Sequence, residues 1–212
     1  LINNARHYDI GQEKLPSVTT ILAATQSSEK RASLAKWKAK VGENEAERIK
    51  NTAGARGTAM HNYLEHHVEG KGLLDLTDLG VEAKRMAETI IDQGFPDLEE
   101  IWGSECTLYY PGLYAGATDL CGIYQGRESI IDFKQTNKPK RDEWIEDYKL
   151  QMAAYAMAHD YVYDTKIEQG VILMCTPDCF FQRFIVNGQD FRNWRGEWLR
   201  RVDKYYEQKT IK

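Results

Sequence analysis

The 212-residue sequence has no long apolar run, and no window approaches the roughly 18 consecutive apolar residues that a membrane-spanning helix needs. Proline is scarce, with five residues, and the sequence has no Pro/Gly/Ser-rich linker, internal repeat or low-complexity segment. Residues 1–4 lack the basic segment and apolar run of a secretory signal. These absences predict a single domain over residues 1–212, without a membrane span, in a protein that stays inside the cell.

Cysteine is also rare, and the four cysteines form no C-x-x-C motif of the kind found in zinc ribbons and redox proteins. They are too few to form a disulfide scaffold in a chain of this length. Cys175 and Cys179 flank a predicted tight turn and could be neighbours on two strands, although two buried, reduced thiols are the interpretation that we favour. The cysteine content therefore indicates a reducing compartment.

Positive charge is not in excess, because 28 Lys and Arg residues are balanced by 32 Asp and Glu residues, for a formal net charge of −4. This balance excludes a protein that coats nucleic acid through bulk positive charge. The charge is nevertheless uneven: residues 134–141 contain four basic residues and no acidic one, and residues 30–50 contain seven basic and three acidic residues. Such patches can attract a phosphate backbone, although a charged helix is more often a solvated surface.

The spacing of apolar residues changes along the chain. Helical spacing is found at residues 18–22, 28–41, 43–69 and 78–93. Strand-like alternation is found at residues 101–110, 115–124 and 128–135. A helix over 142–161, a hairpin over 170–186 and an amphipathic C-terminal helix at about 190–208 follow. This order predicts an α/β fold with a mixed central β-sheet flanked by helices, in which a helical N-terminal part at about 16–95 precedes an α/β core at about 100–187.

The predicted hairpin of residues 115–135 brings three charged side chains together. Because strand side chains alternate between faces, Asp132 and Lys134 point the same way. With the turn centred after Gly126, Asp119 is predicted to lie opposite Lys134, with Asp132 as its diagonal neighbour. Two carboxylates and one ammonium group therefore converge at one end of the hairpin.

Such a trio has a chemical use. Two aspartates are oxygen ligands suited to Mg²⁺ or Mn²⁺, with coordination positions left for water and phosphate. The metal lowers the pKa of a bound water and neutralises charge that develops on a phosphoryl oxygen. A lysine beside it can orient the water or stabilise the transition state. On the hairpin alone, an ordinary ion pair at the edge of a sheet explains the same residues equally well.

Further blocks bear on this choice. The segments Gly116-Ala117-Thr118-Asp119 and Ile131-Asp132-Phe133-Lys134 are preceded by a G-x-x-x-H block ending at His61 and followed by a Q-x-x-x-Y block from Gln151 to Tyr155. In this order the four blocks resemble the PD-(D/E)XK nuclease superfamily, specifically its RecB-like exonuclease branch. Residues 15–22, Leu-Pro-Ser-Val-Thr-Thr-Ile-Leu, resemble the N-terminal block of the mitochondrial genome maintenance exonucleases and their phage-encoded relatives. The resemblance implies a restriction-endonuclease-like core.

The resemblance also implies roles for individual residues. His61, Asp119 and Asp132 would be metal ligands, together with the backbone carbonyl of Phe133. Asp119, Asp132 and Lys134 would be the catalytic residues. Taken alone, His61 would more often be a packed or solvent-facing histidine, so its role depends on the resemblance. Mg²⁺ or Mn²⁺ would be the cofactor, and no iron–sulfur cluster is expected, because the cysteine positions do not match those of the related CRISPR adaptation nucleases.

Three more residues are candidates for supporting or binding roles, and each also has a purely structural interpretation. Gln151 and Tyr155 would support the site or contact the DNA backbone, whereas the spacing of their helix is also typical of a core stripe. Glu105 is either a fourth acidic group near the site or a solvent-facing strand residue. Both alternatives stay open at the level of sequence.

Candidate DNA contacts lie in the two basic patches. They are Lys138, Lys140 and Arg141 after the last strand of the hairpin, and Trp37 in the basic helix. Exposed aromatic rings can stack on the bases of a single strand, and the sequence has no base-reading motif. The partner is therefore expected to be DNA, single-stranded and bound without sequence preference, with no obligate protein partner visible.

Together these observations predict a metal-dependent DNA exonuclease that acts in replication, repair or recombination. A duplex-cutting or structure-specific endonuclease of the same superfamily is the first alternative. A non-catalytic DNA-binding module is the second, although an intact Asp–Asp–Lys set argues against it. The location would be the cytoplasm of a bacterial host for a phage protein, or the mitochondrion for a eukaryotic one.

Overall fold

A computed structural model describes residues 6–11 and 13–210. The prediction that residues 1–4 contain no secretory signal concerns residues outside this described part. The α-helices of the described residues are α1 (Val18–Ala24), α2 (Ser28–Val41), α3 (Glu43–Val68), α4 (Asp78–Gly94), α5 (Glu146–Tyr163) and α6 (Gly188–Thr210). The β-strands are β1 (His7–Ile10), β2 (Glu13–Pro16), β3 (Leu98–Tyr110), β4 (Tyr114–Tyr124), β5 (Arg127–Gln135), β6 (Gln169–Cys175) and β7 (Phe181–Asn187).

Five strands form one mixed sheet in the order β3-β4-β5-β6-β7. β5 and β6 are parallel, and the other neighbours are antiparallel. Parallel neighbours need a crossover connection, which α5 provides. The fold predicted from the sequence, a mixed central sheet flanked by helices, is confirmed.

Helices cover both faces of the sheet, and strand alternation divides the core between them. Ile130 belongs to a buried cluster with residues of α1, α5 and α6, such as Trp198. Its neighbour Ile131 belongs to a second cluster with residues of α3 and α4, such as Met60 and Ile90. The central strands are thus apolar on both faces, which leaves few positions for charged side chains except where the strands end.

Helix starts follow local capping chemistry. The side chains of Ser17, Ser27 and Thr77 accept hydrogen bonds from the backbone N–H groups of the first turns of α1, α2 and α4. Gly42, with a φ of 88°, makes the break between α2 and α3. Within the described residues, none of the helices is long and apolar enough to cross a membrane.

Two features of the structure differ from the sequence-based expectation. The small hairpin β1–β2 was not predicted, because its four-residue strands are too short for a clear alternation. The helix predicted from residue 142 begins at Glu146, because residues Asp142–Trp144 form a separate 3-10 turn. The Lys149 ammonium group donates to Asp142 at 2.6 Å and so ties this turn to α5.

Candidate active site

The register of the central hairpin places the acidic residues. β4 and β5 are joined by the two-residue turn Gln125-Gly126, in which both residues have positive φ, so Tyr124 pairs with Arg127. The prediction that Asp119 lies opposite Lys134 is therefore wrong, because it centred the turn one residue too late. When the observed β4–β5 register is extended one residue beyond the pair Leu120–Ile131, Asp119 lies opposite Asp132. Because this is a shift of two residues, the side chains stay on the predicted face.

Asp119 ends the pairing of the two strands. The ladder reaches Leu120 and Ile131, and beyond it the backbone N–H of Phe133 donates to Asp119 Oδ2 at 2.7 Å. The N–H and C=O groups of a strand residue point to the same side, so the Phe133 carbonyl also faces β4. Asp119 Oδ1 lies 3.1 Å from Nδ1 of His61 on α3. One carboxylate thus joins β5 to α3.

Lys134 lies at the centre of a polar chain that extends into α5. Its Nζ lies 2.5 Å from Asp132 Oδ2 and donates to Gln151 Oε1 at 2.8 Å. Gln151 Nε2 donates to the hydroxyl of Tyr155 at 2.9 Å. The Tyr148 ring centre lies 4.9 Å from the same Nζ. Gln151 and Tyr155 are both buried, behind the lysine rather than on the surface.

Glu105 joins the site from β3. In the β3–β4 register it falls between the pairs Ser104–Leu120 and Cys106–Thr118, which puts it opposite Asp119. Its φ of 49° is left-handed, a conformation that a non-glycine residue rarely adopts. One ligand atom each of His61, Glu105 and Asp119 lies within 4.8 Å of the others. The structure thus places Glu105 near the site, with its side chain still accessible.

The charges of these groups act on one another. Burial raises the pKa of Asp132, Lys134 opposes this, and the charge of Asp119 raises it further. Burial also raises the pKa of Glu105, with Asp119 adding to the effect. Burial would lower the pKa of His61, but its hydrogen bond with Asp119 and the nearby negative charges raise it overall. The cluster therefore has an excess of negative potential, which a cation would relieve.

The donor atoms fit a divalent cation. Asp132 Oδ2 is buried and, although close to Lys134, has no hydrogen bond of ordinary geometry. Such an unsatisfied buried carboxylate oxygen is a ready ligand. Oxygen donors suit Mg²⁺ and Mn²⁺, and one imidazole nitrogen among them favours Mn²⁺. Asp132 is not one of the three residues of the group His61, Glu105 and Asp119, and its Oδ2 lies 2.5 Å from Lys134 Nζ.

The predicted DNA contacts are more scattered. Lys138, Lys140 and Arg141 lie in the loop after β5, where Arg141 stacks over Trp144 at 5.2 Å. Trp37 lies on α2, where 36% of its surface is exposed. For the described residues, no hydrogen bond, ion pair or ring contact joins Trp37 to His61, Glu105 or Asp119. An ion pair from Lys30 on α2 to Asp147 on α5 does hold the basic helix beside the start of α5.

Arg56 is a residue near the site to which no role was assigned from the sequence. Arg56 precedes His61 on α3 and is largely buried. Its Nε donates to Glu82 Oε2 on α4 at 2.7 Å, and its NH1 donates to Asn137 Oδ1 at 3.2 Å. It thereby anchors the loop after β5 to the helical face. In the sequence, its position directly before the G-x-x-x-H block was the one sign that Arg56 lies near the site.

Comparisons with known proteins agree with the resemblance to exonucleases. No family model matches the chain. The chain is 26% identical over 206 residues to mitochondrial genome maintenance exonuclease 1 of Homo sapiens, a match that covers 92% of the chain. The protein of the same name from Xenopus tropicalis is 27% identical over 216 residues and covers 93%. The chain spans 59% of the length of each relative. These similarities confirm the resemblance inferred from the motifs.

A solved structure has a similar fold. A candidate exonuclease from Eubacterium rectale aligns with a TM-score of 0.52 and 14% sequence identity. The alignment covers 72% of this chain and 65% of that protein. At this level of identity the likeness concerns the fold alone, and it agrees with the mixed sheet and its flanking helices.

Proposed function

We propose, starting from the similarity to the mitochondrial genome maintenance exonucleases, that this chain is a divalent-metal-dependent DNA exonuclease. The observation that supports this most strongly is the meeting of His61, Glu105 and Asp119 beside the Asp132–Lys134 pair. These residues come from α3, β3, β4 and β5, so the fold rather than local sequence assembles them.

The proposed metal ligands are His61, Asp119, Asp132 and the Phe133 carbonyl, with Glu105 as an additional carboxylate. A bound Mg²⁺ or Mn²⁺ would supply an activated water and charge neutralisation at the scissile phosphate. His61 would be held in orientation by its contact with Asp119. Asp119 would at the same time keep the Phe133 backbone facing the site.

Lys134 would supply positive charge beside the two aspartates. Burial alone would lower its pKa, but the charges of Asp132 and Asp119 outweigh burial and raise the pKa. A charged ammonium group at this position can stabilise negative charge on a phosphoryl oxygen. Gln151 and Tyr148 would hold it in place from α5.

The proposed substrate is single-stranded DNA without sequence preference. The basic helix α2, with Trp37 exposed, and the loop of Lys138, Lys140 and Arg141 offer charge and aromatic surface for a strand. No base-reading motif is present in the sequence. Replication, repair or recombination would be the process, in mitochondria or in the host of a phage.

The test is digestion of 5′- and 3′-end-labelled single strands with Mg²⁺ or Mn²⁺. We expect the wild type to release nucleotides from an end, and Asp132→Ala and Lys134→Gln to lose at least about 100-fold in kcat, as is usual when a group that stabilises the transition state is removed. Lys166→Gln, on an exposed loop, is the matched control and should retain full activity.

Closed circular duplex serves as the second substrate in the same assay. Its cleavage would indicate a duplex-cutting endonuclease instead of an exonuclease. Tight binding of single strands without metal, with no cleavage of either substrate, would indicate a non-catalytic binding module and would refute the proposed activity.

A further inference from the structure

Two cysteines lie directly beside the acidic cluster, the group formed by His61, Glu105 and Asp119. Cys106 follows Glu105 on β3, and Cys121 is two residues after Asp119 on β4. Their sulfur atoms are 3.5 Å apart. Gly103 leaves the space that this arrangement needs, since a Cβ atom there would lie 2.4 Å from the sulfur of Cys106. The two thiols are therefore close enough to react with each other after a small movement.

A small cavity gives access to both thiols. It has a volume of about 210 Å³, and its lining includes Cys106, Cys121, Trp102 and His159. Cys106 is half-buried, while Cys121 has only 2% of its surface exposed. A molecule as small as hydrogen peroxide can thus reach Cys106 first, with Cys121 placed behind it to resolve the product.

We propose that Cys106 and Cys121 are a redox modification site, which hydrogen peroxide converts to an intrachain disulfide that weakens metal binding at the neighbouring acidic cluster. In the first step the Cys106 sulfur attacks one peroxide oxygen, the O–O bond breaks, and a sulfenic acid and one water form. In the second step the Cys121 sulfur displaces a second water from that sulfenic acid. The two thiols lose two electrons and two protons in total, and the peroxide is reduced to two waters.

The consequence for the metal ligands follows from chain connectivity. A disulfide requires the sulfur atoms to move from 3.5 Å to a bond of about 2.0 Å. Glu105 is joined to Cys106 by a peptide bond and already has a left-handed φ of 49°. Its backbone therefore has few alternative conformations that keep its carboxylate beside His61 and Asp119. Movement of Cys106 displaces Glu105 from that group. This part of the proposal rests on the proposed function of the cluster.

The other two cysteines provide an internal contrast. Cys175 is fully buried at the end of β6, and Cys179 has a φ of 62° in the following turn. They are only four residues apart in the sequence, yet no sulfur–sulfur contact joins them in the described residues. Proximity to the acidic cluster distinguishes the first pair, so the second pair serves as a control for general thiol oxidation.

In the experiment, the reduced full chain is treated with hydrogen peroxide, then unfolded in denaturant and alkylated under non-reducing conditions, because Cys121 and Cys175 are buried in the folded protein. Peptide mapping by mass spectrometry should show a Cys106–Cys121 disulfide, with Cys175 and Cys179 still alkylated. Mn²⁺ affinity, measured by calorimetry, should fall at least several-fold on oxidation and return with dithiothreitol. Cys106→Ser should form no disulfide and keep its Mn²⁺ affinity in peroxide, whereas Cys175→Ser should behave like the wild type.

Several outcomes would overturn the proposal. Four alkylated cysteines after peroxide treatment would refute the disulfide, and a disulfide with unchanged Mn²⁺ affinity would refute its effect on the cluster. If Cys106→Ser does not fold, the oxidised and reduced wild type still decide both points. Lack of nuclease activity in the reduced protein would count against the proposed function alone, because thiol mapping and metal affinity do not depend on cleavage.

Discussion

Helices α2 and α5 differ sharply in how they use polar residues. α2 has no buried residue, and its lysines are exposed, although Lys30 also pairs with Asp147 on α5. α5 is buried along most of its length and includes Lys149, Gln151 and His159 among its buried residues. Each of these three has a partner, in Asp142, Lys134 and Thr165 respectively. Under the proposed function, α5 would position Lys134 and support the core, whereas α2 would offer charge to DNA and contribute little to stability.

The largest expected effect is on stability, at Met152 of α5. This side chain is fully buried against Gly170 of β6. Met152→Ala should lower the free energy of unfolding by about 2–5 kcal/mol, because it leaves a cavity in the core. Chemical denaturation with circular dichroism measures this. A change below about 1 kcal/mol would show that α5 is less tightly packed than the structure indicates.

Gln151→Ala should mainly affect catalysis. It removes the acceptor for the buried Lys134 ammonium group, a loss of about 1–3 kcal/mol, which corresponds to roughly 5–150-fold in kcat. KM should change little, since the side chain is buried behind the site. Tyr155→Phe removes only the outer hydrogen bond and should have a smaller effect in the same assay. An effect of Gln151→Ala on KM alone would instead indicate a direct contact with DNA.

Lysines on α2 should affect substrate affinity and not stability. Replacing Lys36, Lys38 and Lys40 with Gln should weaken single-strand binding and reduce the slope of log affinity against log salt by about 0.7 for each phosphate that the variant no longer neutralises. The control replaces Lys166, Lys204 and Lys209, which are also exposed and change the net charge equally. Equal salt slopes for the two triple variants would show that α2 has no special role in binding.

The smallest expected effect is the change in stability for Trp37→Ala. The residue is on the exposed helix and packs into no buried cluster of the described residues. The free energy of unfolding should fall by less than about 2 kcal/mol, below the range for a core substitution. A decrease of about 2 kcal/mol or more, on the order of a core substitution, would contradict the contrast between the two helices.

Much of the fold was predictable because it depends on local signals. The bounds of α2 and α3 follow from a serine cap and the break at Gly42, and the sheet follows from alternation in β4 and β5. The convergence of Asp119, Asp132 and Lys134 also follows from alternation. The exact register does not, because it depends on Gln125 taking a positive φ that non-glycine residues seldom take.

Other features of the site depend on long-range packing. His61 and Asp119 are 58 residues apart in the chain, so only the family resemblance connected them before the structure did. The meeting of Glu105 with that pair, and of Cys106 with Cys121, depends on the left-handed residue and the register shifts within β3. Such irregularities have no pattern in side-chain hydrophobicity, so nothing in the sequence indicated that Cys106 and Cys121 would meet.

The central proposal is that this cluster of carboxylates binds a divalent cation. Calorimetric titration of the wild type, Asp119→Asn and Asp203→Asn with Mn²⁺ tests it most directly, since Asp203 is an exposed aspartate on α6. We expect Asp119→Asn to bind Mn²⁺ at least about 10-fold more weakly, because it loses both a ligand charge and the partner of His61, while Asp203→Asn binds like the wild type. Equal affinity of all three proteins, or no binding by the wild type, would contradict the proposal.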